Sequence, residues 1–484
     1  MMGEHQEQKN LFSYAVDLDK RIRNDHPLRL IKERVDFDWV REEVRELYGK
    51  NGNVSVDPVI IVKLLFLLYY DNIRSERELM KIIPERLDYL WFLGLNLDDE
   101  IADHSVLSKA RSRWGKRLFE KLFVRTIELC MQAGLVRAET IHVDGSLVVA
   151  DAARDSFLKA DKQWINCLKS EFEVQEKKLS KPLGNKHYQS KNQELINLTD
   201  PDAPCVSRNK PGAKGEPRAY YKVHRVVDNQ CGVITATETT PGDVEENRKL
   251  EALIEQHERN TTSELNTVVA DKQYGTVDNF RKLQSRGIET HMGILHEHTR
   301  KDHQEIFGKS RFQYDRQEDV YRCPAGQKLY HRRYDPKRQA SEYHTRKGTC
   351  EQCPAKEQCT RAKTGRTIMR HLGQELIDQG HAQSKSKQGR RNMIRRKWLV
   401  EGSFGQATRH HFKRSRYRRL WRQQIQDWLI ASVQNIKKYI QTEYRQYPVA
   451  HTACVLTPIS RENRMFRKLV AQFGTQDTST VFWS

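Results

Sequence analysis

A chain of 484 residues has room for two to four structural units and a sizeable buried core. Its 84 Lys and Arg against 64 Asp and Glu leave a formal charge of +20, which suits a polyanionic partner because each cation that meets a phosphate releases condensed counterions. Nine cysteines is an odd count in so large a chain, so a disulfide scaffold is not expected and a reducing cytoplasmic setting is.

The chain opens on a polar lead-in without the apolar stretch of a secretion signal. Residues 25–135 read as a helical domain. Asp57-Pro58 opens an apolar helix over 59–70, with Pro in the first turn. That run contains Lys63 and is too short to cross a bilayer, so no membrane partner is expected. Ser75-Glu76-Arg77-Glu78 has capping-box spacing and starts a second helix. Ser105 caps a third carrying Leu107 and Trp114, and residues 119–131 form a fourth. Arg111, Arg113, Lys116 and Arg117 give the unit a basic face that either touches DNA or is simply solvated.

Ile141-His142-Val143-Asp144-Gly145 reads as strand presenting a carboxylate at the edge of a sheet, and the first core strand is expected over 141–149. A charged helix with Phe157, Trp164, Leu168 and Phe172 is expected over 155–179. In the loop that follows, Asp200 and Asp202 are turn residues or additional metal ligands. Residues 220–227 and 232–239 alternate as a hairpin, and Pro241 begins a helix that runs to Glu258. Thr267-Val268-Val269-Ala270-Asp271 repeats the pattern of a strand ending in an acid, followed by a helix over 277–286 and a strand over 288–292. Three strands, helix, strand, helix, strand is an α/β arrangement with the order of a ribonuclease-H-like mixed sheet, whose first part spans 138–292.

Residues 293–373 break that rhythm and read as a small β-rich insertion. Cys323, Cys350, Cys353 and Cys359 would suit a tetrahedral structural Zn²⁺, or they are reduced and partly buried thiols. Residues 385–442 complete the core. Within them 384–397 reads as a flexible basic approach to Glu401, and Ile425 to Ile440 as a helix packed on the sheet. Beyond Glu401 lies an arm with Arg409, Lys413, Arg414, Arg416, Arg418, Arg419 and Arg422 interleaved with His410, His411, Phe412, Tyr417 and Trp421. Such a mixture can hold phosphates while stacking on unpaired bases, although a solvated basic face is the usual meaning of a charge run.

Two strand-end aspartates and a later glutamate are the set that a two-metal site requires. Mg²⁺ prefers oxygen ligands and keeps several waters. Two such ions about 4 Å apart activate an attacking oxygen and stabilise a leaving one. Asp144, Asp271 and Glu401 are therefore the expected catalytic and metal-binding residues, with DNA as substrate.

The chain resembles the DDE transposases of bacterial insertion sequences, in the branch with an insertion ahead of the glutamate. The likeness rests on Ser55-Val56-Asp57-Pro58, His142-Val143-Asp144-Gly145, Thr199-Asp200-Pro201-Asp202-Ala203, Ala270-Asp271-Lys272 with Tyr274-Gly275, Cys323-Pro324-Ala325-Gly326, Cys350 with Cys353-Pro354, and Val400-Glu401 with Phe404-Gly405, in that order. It implies that Asp144, Asp271 and Glu401 bind two Mg²⁺ or Mn²⁺ on a ribonuclease-H-like core. It also implies nicking at the terminal inverted repeats of an element and attack of the freed 3′-hydroxyl on target DNA. The protein would act as a homodimer on double-stranded DNA in the nucleoid of the bacterial cytoplasm. Many relatives carry a Tyr–Arg–Glu–Lys pattern around the glutamate; here its places hold Ile394, Lys397, Glu401 and Thr408. The expected DNA contacts are therefore shared among Lys397, Arg395, Arg396 and Arg409, with Lys413, Arg414 and Arg416 behind them. The alternatives are a related nuclease that cuts without joining and a catalytically inactive DNA-binding derivative.

Overall fold

A computed structural model describes residues 16–446 apart from 50–53, 154–155, 208–216, 294–305, 337–338, 363 and, save for 167, 170, 171 and 174, residues 160–194. Residues 1–440 form one compact unit; of the second, 441–484, the end of the last helix is described.

The helical region is built around α1 (Pro58–Tyr70), which is buried on nearly every side. That explains its all-round apolar sequence: a helix at the centre of a bundle has no solvent face to keep polar. The Asp57 carboxylate accepts from Val59 N at 2.9 Å, and Pro58 fills the first position, where no hydrogen is needed. The same carboxylate takes Arg41 Nη2 at 2.7 Å. Ser75 Oγ accepts from Glu78 N at 3.2 Å, as its spacing predicts. The third and fourth expected helices are one element, α2 (Ser105–Gln132), bent at Gly115, whose φ of 65° an L side chain rarely adopts. Its first turn is capped by Asp103, which accepts from Ser105 N at 2.8 Å, so Ser105 is a helix residue and not the cap.

The central sheet contains β1 (Thr140–Val149), β2 (Pro217–Asp228), β3 (Ile234–Pro241), β4 (Thr267–Ala270) and β5 (Glu289–Met292). Their order is β3-β2-β1-β4-β5, with β3, β2 and β1 antiparallel in turn and β4 and β5 parallel to β1. This is the ribonuclease-H-like order. A short strand, Cys205–Ser207, pairs with the start of β2. Because side chains alternate along a strand, register partners Val143 and Val226 lie on one face, and Asp144 and Arg225 on the other. The first face packs with Ile141, Val268 and Ala270 against Leu250, Leu253 and Ile254 of α3 (Leu250–Thr261) and Phe280 of α4 (Val277–Ser285). The expected helix at Pro241 starts later, at a short turn over Glu246–Lys249, because β3 continues through Pro241.

Residues 384–397 are helical and not a flexible approach. α5 (Gln374–Lys385) leads into α6 (Lys387–Arg396), whose first turn is capped by Ser386 Oγ accepting from Gly389 N at 2.9 Å. The last helix, α7 (Leu420–Gln446), lies over the second sheet face. The fully buried Arg225 joins the two: Nη2 meets Asp427 Oδ1 at 2.7 Å and Nη1 meets Gln434 Oε1 at 2.9 Å. Its guanidinium lies 5.0 Å from the Phe404 ring centre and 4.8 Å from that of Phe412. Thr237 Oγ1 donates to the other oxygen of Asp427.

Between β5 and α5 stands a five-stranded antiparallel sheet of Gln313–Asp315, Val320–Arg322, Lys328–Asp335, Ala340–Thr345 and Thr367–His371. It has its own small core of Phe312, Tyr321, Leu329, Tyr343 and Ile368. The stretch expected as a helix over 155–179 opens as a strand, Phe157–Lys159, paired with Leu195–Asn197, and its described residues 167, 170, 171 and 174 are helical. The Trp164, Leu168 and Phe172 positions of that expectation lie outside the described residues.

Candidate active site

β1 carries Asp144 within its length and runs on to Val149 beside β2, matching the core strand expected over 141–149. The strand that ends is β4. Its parallel ladder with β1 stops at Val143↔Ala270, so the next residue on each chain, Asp144 and Asp271, emerges side by side. Asp271 Oδ1 accepts from Gln273 N at 2.7 Å and so starts the turn Lys272–Tyr274. Asp144 Oδ1 accepts from Gly145 N at 2.9 Å.

Glu401 reaches this corner through a π turn over Lys397–Glu401. An α-helix would rotate residues five apart away from each other; the extra residue in a π turn restores them to one side. Arg396 and Glu401 consequently face the same way. Arg396 Nη1 donates to Asp144 Oδ2 at 3.0 Å and Nη2 to Glu401 Oε1 at 3.1 Å. The guanidinium is thus a bridge between the strand acid and the helix acid.

The electrostatics follow from this crowding. Burial pushes the Asp144 carboxyl above the usual range, Arg396 pulls it down, and Asp271 and Glu401 push it up again. Among the described residues no three His, Cys, Asp or Glu side chains group closely enough to hold an ion between them; here Arg396 occupies the space between Asp144 and Glu401. Even so, the donor set fits a hard divalent cation. It consists of oxygens alone, its charges repel, and positive charge is already drawn into its midst.

A fourth acid, not singled out from the sequence, is also present. Glu246, in the turn after β3, leans on Gly145: a Cβ at that position would stand 2.9 Å from Glu246 Cδ. Lys222 Nζ lies 3.8 Å from Glu246 Oε1 and donates to Val244 O at 2.8 Å. Burial pushes the Glu246 carboxyl up, Lys222 opposes, and Asp144 and Asp271 add to the rise. The fully buried Tyr274 hydroxyl has no hydrogen-bond partner and feels Glu246, Asp144 and Asp271. The only signal in the sequence was the small residue after Asp144.

The expected DNA-contacting cations divide into two sets. Lys397, Arg395, Arg409, Lys413 and Arg414 are exposed. Arg396 is buried between the acids, and Arg416 is half-buried and turned inward, donating to Arg74 O at 2.9 Å and Ile73 O at 2.6 Å. Two aromatics of the arm do not offer themselves to bases. Phe412 is buried against Phe404, and Tyr417 donates to Glu76 Oε1 at 2.9 Å under the Arg111 guanidinium. Arg111, read as part of a basic face, is buried in that same cluster. Asp200 and Asp202 secure α7. Asp202 Oδ2 accepts from Leu420 N at 3.0 Å and Arg419 Nε at 2.9 Å, and both oxygens of Asp200 lie 2.7 Å from Tyr221 Oη. Burial, with Asp202 nearby, pushes Asp200 up to about 7.

Cys323, Cys350, Cys353 and Cys359 line one cavity at the end of the five-stranded sheet. Burial pushes the Cys359 thiol up, and the other three thiols add to the rise. They converge, but as placed no three of them are near enough to share an ion.

Residues 16–113 match the family model of a transposase domain (DUF772), and residues 322–440 match that of a transposase DDE domain. Glu401 and the four cysteines lie in the second span; Asp144 and Asp271 lie in neither. Among solved structures the chain is similar to a piggyBac transposase synaptic complex with hairpin DNA, at 10% identity over 94% of this chain and 87% of that one, with a TM-score of 0.30. It is similar also to a Mos1 transposase paired-end complex with the left transposon end, at 13% identity over 50% of this chain and 60% of that one, with a TM-score of 0.16. No curated protein matches.

Proposed function

We propose, from the premise that this chain is a DDE transposase, that Asp144, Asp271 and Glu401 carry its metal-dependent cutting and joining of DNA. The observation that supports the reading best is the corner itself: β4 ends one residue short of Asp271, beside Asp144, and Arg396 ties Asp144 to Glu401. The three acids would hold two Mg²⁺ or Mn²⁺. Bound there, divalent ions would polarise the scissile phosphate and raise the nucleophilicity of the attacking oxygen. Arg396 holds Asp144 and Glu401 together beforehand and opposes the rise that burial imposes on the Asp144 carboxyl, and its guanidinium would be at hand for a phosphate oxygen once the acids have other partners. The exposed Arg395, Lys397, Arg409, Lys413 and Arg414 would hold the phosphate backbone of double-stranded DNA, at element ends and at the target. No helix among the described residues is long and apolar enough to cross a membrane.

A labelled duplex carrying the element end tests this. With Mg²⁺ the protein is expected to nick that end and then join its 3′-hydroxyl to a second DNA, and to do neither without divalent ions. Nicking without joined product would favour a nuclease. Tight binding with neither product would favour an inactive DNA-binding derivative.

The four cysteines are proposed as a structural zinc site, since four thiolates complete a tetrahedral shell and leave no open position for catalysis. Purified full-length protein is expected to carry about one zinc per chain, released by a thiol-modifying reagent. Cys350→Ser is expected to lose that zinc. Metal analysis finding none in freshly prepared protein would leave the thiols as packing residues.

A further inference from the structure

We propose that Glu246 joins Asp144 and Asp271 in holding a divalent ion before DNA arrives, whereas the place between Asp144 and Glu401 takes one only after Arg396 has moved. The inference rests on the reading of this corner as a metal-dependent site of DNA cutting, and adds to it a residue and an order of filling. Glu246 opens the turn Glu246–Lys249 that follows β3. Its carboxyl rests on Gly145, so closely that a Cβ there would stand 2.9 Å from Cδ and 3.0 Å from Oε1. Gly145 N also donates to Asp144 Oδ1 at 2.9 Å. The two oxygens of Asp144 therefore serve different neighbours. Oδ1 is tied to the residue on which Glu246 rests, and Oδ2 takes Arg396 Nη1 at 3.0 Å.

The two sides differ in what stands in the way of an ion. Between Asp144 and Glu401 the Arg396 guanidinium donates to both acids, and it yields that place once it has another anion to hold. A DNA phosphate is such an anion. On the other side the ion-pair partner of Glu246 is Lys222, 3.8 Å from Oε1, whose ammonium donates to Val244 O at 2.8 Å rather than bridging two acids. Carboxylates gathered without a bridge repel, and Mg²⁺ or Mn²⁺ relieves that repulsion through the oxygen ligands it prefers. Tyr274 is a separate sign of a ligand. It closes the turn that Asp271 starts, it is fully buried, and its hydroxyl has no hydrogen-bond partner. The charges of Glu246, Asp144 and Asp271 all reach it. A buried hydroxyl without a partner is costly, and an ion that keeps several of its waters would bring one to it. As placed, the carboxylates do not yet close on a point. Drawing them in costs Glu246 an ion pair at 3.8 Å and Asp271 the bond that caps its turn.

The test measures Mn²⁺ binding by the full chain without DNA, read from the electron paramagnetic resonance signal of the free ion, so that no product need form. The wild type is expected to bind about one ion per chain at its tighter site. Glu246→Gln, which keeps the size and removes the charge, is expected to weaken that binding about tenfold or more, at least what is lost when a residue merely supporting a ligand is removed. Gly145→Ala, whose methyl would turn the carboxyl aside, is expected to do the same with the acid retained. Glu401→Gln is expected to leave the binding nearly unchanged. Unchanged affinity in Glu246→Gln, with Asp144→Asn weakened, would overturn the proposal and leave the site of three acids standing. A loss in Glu401→Gln as large as that in Glu246→Gln would overturn the order of filling. Unchanged affinity in every variant, Asp144→Asn included, would instead count against the corner as a metal site.

Discussion

Asp271→Ala is expected to lower end nicking and joining about a thousandfold or more while DNA affinity stays within about twofold. Several kcal/mol of transition-state charge stabilisation departs with the ion, and roughly 1.4 kcal/mol accounts for each factor of ten. Asp271 is the cleanest of the three acids to remove. Its carboxylate accepts one described hydrogen bond, from Gln273 N in its own turn, so the expected stability cost is that of a lost cap, about 1 kcal/mol. Asp144→Ala is less clean, because it leaves the buried Arg396 with Glu401 alone. Gel assays of nicked and joined products, alongside binding titrations at several salt concentrations, check the result. Binding is expected to weaken steeply with salt in both proteins, as phosphate contacts require. A variant that binds weakly but cuts normally once saturated would move Asp271 from chemistry to DNA contact.

Asp427→Ala is expected to cost about 3–5 kcal/mol of folding stability, the range for removing one partner of a buried ion pair. Arg225 would keep Gln434 and the rings of Phe404 and Phe412, but its charge would face no carboxylate. Thr237 would lose one acceptor as well and keep the His224 carbonyl. Replacing both partners by apolar side chains, Arg225→Met with Asp427→Leu, is expected to recover much of the loss, since the penalty lies in the uncompensated charge. Urea unfolding of the three proteins measures this. A single substitution that costs under about 1 kcal/mol would mean that water reaches Arg225.

The strands that carry or precede Asp144 and Asp271 were legible because short runs of β-branched, buried residues are a local pattern. Asp57 before Pro58 and Ser75 before Glu78 were legible for the same reason, since a cap and its acceptor lie within three residues. What was not legible depends on distant partners. Tyr417 and Phe412 look like base-stacking residues until Glu76, Arg111 and Phe404 are seen to occupy them. Asp202 looks like a turn former, but its carboxylate waits for the start of a helix more than two hundred residues later. Glu246 was hidden because its neighbours in space, Gly145 and Lys222, belong to other strands. The basic run before Glu401 read as mobile because charge density conceals helical order when the apolar positions are few.

The π turn also bears on how such glutamates are found. Counting back four places from Glu401 arrives at Lys397, which faces solvent, whereas the cation that touches both acids is Arg396. A helix keeps its geometry by angle, and one additional amino acid looped into a turn shifts every upstream label without moving the guanidinium. A pattern keyed to a fixed gap before Glu401 therefore lands on the exposed lysine and passes over the arginine that bridges the two acids.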